Sequence, residues 1–188
     1  PTHFVLPILR ALELAKPSIP VVYNCGGYER LETLRLLDGA IDIYLPDMKY
    51  ADSETARKYS GAGDYVEHAR AAVLEMARQT GPAVLDENGM MKRGTIVRHL
   101  ILPGHTRDSI AVLEWLAQNL PKGVLVSLMA QYIPYGRAAE FPEINRRITK
   151  REYEKVQSRL FELDLDGFIQ DRSSAKTEYI PSFQLEGL

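Results

Sequence analysis

Apolar residues recur at helical spacing over residues 3–16, at Val5, Leu6, Leu9 and Leu12. Pro7 falls near the first turn of that run, where a missing N–H costs least, and Pro17 ends it. IPVVYNCGG then reads as a short buried strand entering a glycine turn. YERLETLRLLDG predicts an amphipathic helix with Leu31, Leu34 and Leu37 on one face and Gly39 as its stop. AIDIYLPDMKY alternates Ile41, Ile43 and Leu45 and so predicts a second strand, which Pro46 ends. Asp52 or Ser53 can cap a helix running to Tyr59, and Asp64 a longer amphipathic helix stopped by Gly81.

The Asn88-Gly89 pair favours a turn, and with it a hairpin between residues 83–85 and 90–91. TIVRHLILPG and GVLVSLMAQYIP are strands three and four, separated by a helix over TRDSIAVLEWLAQNL. Thr149 followed by Glu152 is a capping box opening a last helix, GFIQ a short last strand, and residues 171–188 an irregular tail. Strands apolar on both faces and separated by helices predict a parallel sheet covered by helices. About five such strands are too few for a closed eight-stranded barrel. The fold class is therefore α/β: one domain over 1–188, a partial (β/α) barrel with parallel strands, incomplete at its N-terminus. Because the first element is a helix, the strand at Val21 is expected to lie exposed on one sheet edge. An open edge invites pairing with another chain, here a homodimer or aggregate.

The chain has 188 residues, with 45% hydrophobic and 26% charged, the profile of an ordinary globular protein. A net charge of -2 gives bulk electrostatics no pull toward nucleic acid or an anionic membrane. No apolar run approaches the roughly 20 residues that span a bilayer, and no signal peptide is visible. One cysteine, Cys25, excludes an internal disulfide, points to a reducing cytoplasm, and is too few thiolates to hold an iron–sulfur cluster. Pro1 in place of Met suggests a processed product or a fragment.

Ligands of parallel sheets bind beyond the carboxyl ends of the strands. Those ends carry Asn24-Cys25-Gly26-Gly27-Tyr28, Asp47-Met48-Lys49, Arg98 with Pro103-Gly104-His105 beyond it, and Gln131-Tyr132. Asp47 and Lys49, two apart in extended chain, point to one face. Together they can grip a zwitterion such as an amino acid, or the carboxylate can hold a cation; a solvated turn is the plainer alternative. Arg98, amid apolar neighbours, needs partners: a ligand carboxylate or phosphate, or an internal ion pair with Asp47 or another carboxylate. His99 faces the opposite way and reads as packed or at the surface, and His105 sits in a loop at the productive end. Cys25 is a reactive thiol or, more simply, a small buried side chain. Gly26-Gly27 permits close backbone approach to a ligand. Gln131 and Tyr132 line the pocket or cap the core. The basic run Arg146, Arg147, Lys150 and Arg151 reads as a solvated helix start.

VVYNCGGYE, YLPDMKY, VRHLILPG and SLMAQYIP occur in the order and spacing of the radical S-adenosylmethionine (SAM) activating enzymes. The chain resembles that group from Pro1 to about Gln170, most of all its branch related to pyruvate formate-lyase activating enzyme. The resemblance implies a partial barrel and a SAM cradle. Asn24 falls where the family has a polar strand-end residue near SAM. Asp47 and Lys49 match an Asp-x-Lys motif beside the methionine moiety or its associated cation, and Arg98 matches a strand arginine facing the active site. Gln131 and Tyr132 stand where those enzymes carry a histidine. In the full-length family protein a 4Fe–4S cluster on a CxxxCxxC loop reduces SAM to methionine and a 5′-deoxyadenosyl radical, which takes hydrogen from a partner protein or substrate. The cluster ligands are absent from this sequence, so no radical activity is expected of it alone. Two rival readings remain. One is a Schiff-base lyase using Lys49, against which Asp47 argues by stabilising the ammonium. The other is a non-catalytic module binding an anionic small molecule.

Overall fold

A computed structural model describes residues 2–169. Pro1, Gln170 and the predicted tail at 171–188 lie outside the described residues. A 3-10 turn at Thr2–Phe4 leads into α1 (Val5–Ala15), β1 (Val22–Cys25), α2 (Leu31–Leu36), β2 (Ile43–Pro46), α3 (Ser53–Ser60) and α4 (Tyr65–Thr80). There follow β3 (Val84–Leu85), β4 (Met91–Leu100), α5 (Thr106–Asn119), β5 (Leu125–Met129), a 3-10 turn at Gly136–Glu140, α6 (Lys150–Glu162) and β6 (Gly167–Ile169). Five strands form a parallel sheet in the order β1-β2-β4-β5-β6, while β3 pairs antiparallel with the start of β4. The sheet does not close on itself. It is a partial (β/α) barrel, with β1 at one edge as the sequence predicts.

The helices cover only the outer face. Val97, His99 and Ile101 of β4 and its extension turn outward, and Val97 and Ile101 join Val112, Leu113, Leu116, Val126 and Val156 in the larger core cluster. Tyr23, Cys25 and Tyr44 do the same under α1 and α2, against Val5, Leu34 and Leu37. The inner face stays half open, which departs from the expectation of strands buried on both sides. β1 alternates exposed and buried residues, and Val22 and Phe168 keep 49% and 52% of their surface exposed. With the barrel unclosed, no opposing strand covers these side chains. No helix of the described residues is long and apolar enough to cross a membrane.

Several local signals act as the sequence implies. Asp52 accepts a hydrogen bond from Thr55 N at 2.7 Å and caps α3. Both halves of the Thr149–Glu152 capping box are made. Asp64 occupies the N-cap of α4 but its side chain does not cap. It accepts from the Tyr28 hydroxyl at 2.6 Å instead, because Tyr28 reaches across from the β1–α2 loop.

His99 is the largest polar side chain in the core, 1% exposed, and its Nδ1–H donates to the Met48 carbonyl at 2.7 Å. That bond leaves Nε2 bare and without a hydrogen bond. Burial pushes the imidazole down to about 4, against an ordinary 6.5. The folded state holds the ring neutral while the unfolded chain takes up a proton, so His99 favours folding above pH 6.5 and loses that contribution as pH falls toward 4. A shift of this size corresponds to about 3 kcal/mol. Asp108, raised to about 6 by burial, acts with the opposite sign. The measurement is therefore a difference: urea unfolding of the wild type and His99→Leu at pH 7 and pH 4. Asp108 is common to both proteins and drops out. The wild type should lose about 3 kcal/mol more than the variant; equal losses would mean the buried ring does not titrate in this range.

Candidate functional site

Pairing in register brings three strand ends side by side. Cys25 lies opposite Pro46, and Asp47 bridges to Arg98. On the inner face Arg98 Nη2 donates to Asn24 Oδ1 at 2.7 Å and stands 2.6 Å from Asp47 Oδ1. The second contact is ionic and poorly aligned for a hydrogen bond, so Asp47 Oδ1 and Arg98 Nε remain buried atoms with no hydrogen-bond partner. Lys49 Nζ donates to Asp47 Oδ2 at 2.7 Å. Four side chains that the sequence places on three separate strand ends thus form one connected network. One carboxylate faces two cations, an excess of one positive charge. The Asp47 side chain is 15% exposed, that of Arg98 26% and that of Lys49 43%, so Lys49 is the more open of the two cations.

The backbone beneath this network is held by Tyr65, at the start of α4 and 3% exposed. Its hydroxyl accepts from Lys49 N and supplies its one proton to the carbonyls of Gly26 and Asp47, all at 3.0 Å. Gly27 lets the two strand ends approach. Its φ is +76°, and a Cβ there would sit 2.0 Å from the Asp47 carbonyl oxygen. The sequence lets the backbone at Gly26-Gly27 approach a ligand closely. The structure uses Gly27 for contact between backbones and leaves open space at Gly26. Tyr65 carries no motif that would have marked it in the sequence; it is legible only once α4 is seen to start over the rim.

The remaining candidates separate from this cluster. Cys25 is buried, and desolvation pushes its thiol up to about 12, so it is no nucleophile at neutral pH. Gln131 reaches only the Met129 sulfur, at 4.0 Å. Tyr132 lines a different cavity, with Tyr50 and Tyr59. No hydrogen bond or ion pair among the described residues joins Gln131 or Tyr132 to the Asp47–Arg98 network. The His105 Nε2 is 2.8 Å from the Tyr59 hydroxyl, and burial lowers the pKa of the ring. Arg146 of the basic run is clasped by Glu152 at 2.7 Å, and the same carboxylate accepts from Gly104 N. A larger cavity, about 670 Å³, opens between the loops after β2 and β4 beside Asp52, His105, Arg107, Asp108 and Lys155. Among the described residues no cluster of His, Cys, Asp and Glu could hold a metal ion.

An iron–sulfur cluster needs several thiolates. This sequence has one cysteine, buried as a neutral thiol, so its residues do not fit such a group.

No family model matches the chain. It is 32% identical over 167 residues to an uncharacterized protein of Methanocaldococcus jannaschii, an alignment covering 88% of this chain and 45% of that one. The chain therefore spans about half the length of the curated relative it matches. Among solved structures it is similar to a domain of pyruvate-formate lyase-activating enzyme from Bacteroides vulgatus, with a TM-score of 0.62 and 15% identity, covering 90% of this chain and 91% of that domain. At that identity the likeness establishes the fold: this chain folds as the activating-enzyme domain does, into an open sheet of parallel strands backed by helices.

Proposed function

We propose that this chain is the C-terminal part of a radical SAM protein of the activating-enzyme type, and that its rim network grips the methionine end of SAM. The observation that carries the reading is the single network of Asn24, Asp47, Lys49 and Arg98 at the carboxyl ends of three parallel strands. Amino-acid ends are zwitterions. Arg98, its side chain 26% exposed, and the solvent-facing Lys49 offer donors to a carboxylate, while Asp47 and the Asn24 side-chain carbonyl accept from an ammonium. Bound at this rim, SAM would present its sulfonium for one-electron cleavage by a reductant that the residues of this chain do not themselves hold. The residues of this chain bind and orient; they move no electron. The likeness in fold to the activating-enzyme domain and the order of the strand-end motifs support the same reading.

A Schiff-base role for Lys49 is disfavoured by its 2.7 Å contact with Asp47, which ties the amine to a carboxylate instead of leaving it free to attack a carbonyl. The excess positive charge of the network favours a second reading, a plain anion site.

Titration of the chain with SAM, methionine and adenosine, followed by NMR, tests the proposal. SAM and methionine should shift the same resonances, adenosine should not, and Arg98→Gln should weaken both by about tenfold or more. Equal response to SAM and adenosine, or undiminished binding by Arg98→Gln, rejects it.

A further inference from the structure

A smaller cavity, about 260 Å³, lies on the same rim where Tyr50 beyond β2, Tyr59 of α3, Leu102 beyond β4, and Tyr132, Tyr135 and Phe141 after β5 converge. Two of its tyrosines have their hydroxyls committed elsewhere. Tyr50 Oη meets Ser60 Oγ at 2.8 Å, and Tyr59 Oη donates to Glu143 at 2.8 Å while meeting His105 Nε2. Their rings are fixed edge-on: Tyr59 against Phe141 at 5.1 Å and 89°, Tyr50 against Tyr65 at 5.5 Å and 82°. Tyr132 differs. Its ring packs on the core and burial raises its pKa, yet among the described residues its hydroxyl makes no hydrogen bond.

The charges around the cavity cancel. Arg137 at the lining is paired with Glu140 at 2.9 Å, and Lys58, over the Tyr59 ring at 5.2 Å, is paired with Glu143. No net charge calls for an ion, and an ammonium would meet the Arg137 guanidinium. A cavity of about 150 Å³ lined by apolar side chains holds one benzene. The larger volume here suits a single ring with a substituent, and rings fixed edge-on leave π-faces and edges for a further ring to pack against.

We propose that this cavity binds a small phenol-class aromatic, its ring among Tyr50, Tyr59 and Phe141 and its hydroxyl bonded to Tyr132. Its place on the rim makes such a ring, or an aromatic side chain, the substrate class of the site. That role rests on the SAM reading above; the binding itself does not.

NMR titration with p-cresol, toluene and tetramethylammonium chloride tests it. p-Cresol should bind more tightly than toluene. Tyr132→Phe should weaken p-cresol about fivefold and leave toluene unchanged, the scale of one lost hydrogen bond. Ala138→Leu, which fills the lining, should abolish both. Arg98→Gln, which weakens SAM binding on the earlier proposal, should leave p-cresol binding intact. The cavity assignment is overturned if p-cresol fails to bind, binds Tyr132→Phe as tightly, loses binding in Arg98→Gln, or is matched by tetramethylammonium.

Discussion

Gly27→Ala should lower the unfolding temperature by roughly 10 °C, while Gly26→Ala should leave it nearly unchanged. The two glycines are neighbours with opposite surroundings. A methyl at Gly26 meets nothing within 4 Å. At Gly27 it lies 2.0 Å from the Asp47 carbonyl oxygen, and the residue holds φ +76°. The left-handed backbone alone costs an L residue about 1–2 kcal/mol. The obstacle is main chain, so it cannot swing aside as a side chain would. Relief requires β1 to part from β2 at the rim, stretching the 3.0 Å bond from Asp47 N to Cys25 O and the contacts that Tyr65 makes to both strands. The summed cost is about 3–4 kcal/mol. Differential scanning calorimetry of the two variants beside the wild type measures it, and similar melting points for both would show that the strand ends are not locked together.

Asp47→Asn should separate the two readings of the rim. The substitution keeps the shape of the side chain and removes the one negative charge between Arg98 and Lys49. Stability should fall by about 1–2 kcal/mol, since a partly buried guanidinium loses its carboxylate. Ligand preference carries more information. If the rim grips a zwitterion, the ammonium loses its anionic partner and SAM affinity should drop tenfold or more, while sulfate, meeting two uncompensated cations, should bind better. A plain anion site predicts the gain for sulfate without any loss for SAM, whose net charge is positive. Calorimetric titration of wild type and variant with SAM and with sulfate reads the two signs directly, and a gain for SAM would remove the zwitterion reading.

Short-range patterns account for what was legible in the sequence. The Asn88-Gly89 turn, the Thr149–Glu152 box and the alternation of Ile41, Ile43 and Leu45 each depend on residues within a few positions of one another, and each corresponds to an element in the structure. Strand polarity follows from helices lying between strands, and polarity alone puts Asn24, Asp47, Lys49 and Arg98 at one rim. Features made by long-range contact were not legible. Asp64 looks like a cap until Tyr28, 36 residues away, takes its oxygen. Tyr65 looks like any aromatic near a helix start, and the 3-10 turn at Gly136–Glu140 has no periodicity to announce it. The aromatic cavity draws on segments from Tyr50 to Ile144, so no spacing rule could assemble it. Gln131 and Tyr132 follow the end of β5, a position that sets the height of a residue along the sheet and leaves its partner open.

The β3–β4 hairpin has a practical consequence. Its turn at Asn88-Gly89 precedes Arg98 along a continuous strand by nine positions, roughly 30 Å at strand rise. A fluorophore or affinity handle inserted there would report on or immobilise the molecule from the end remote from the Asp47–Arg98 rim. Asp86, which accepts from both Asn88 N and Met90 N, would keep the base of the insertion closed.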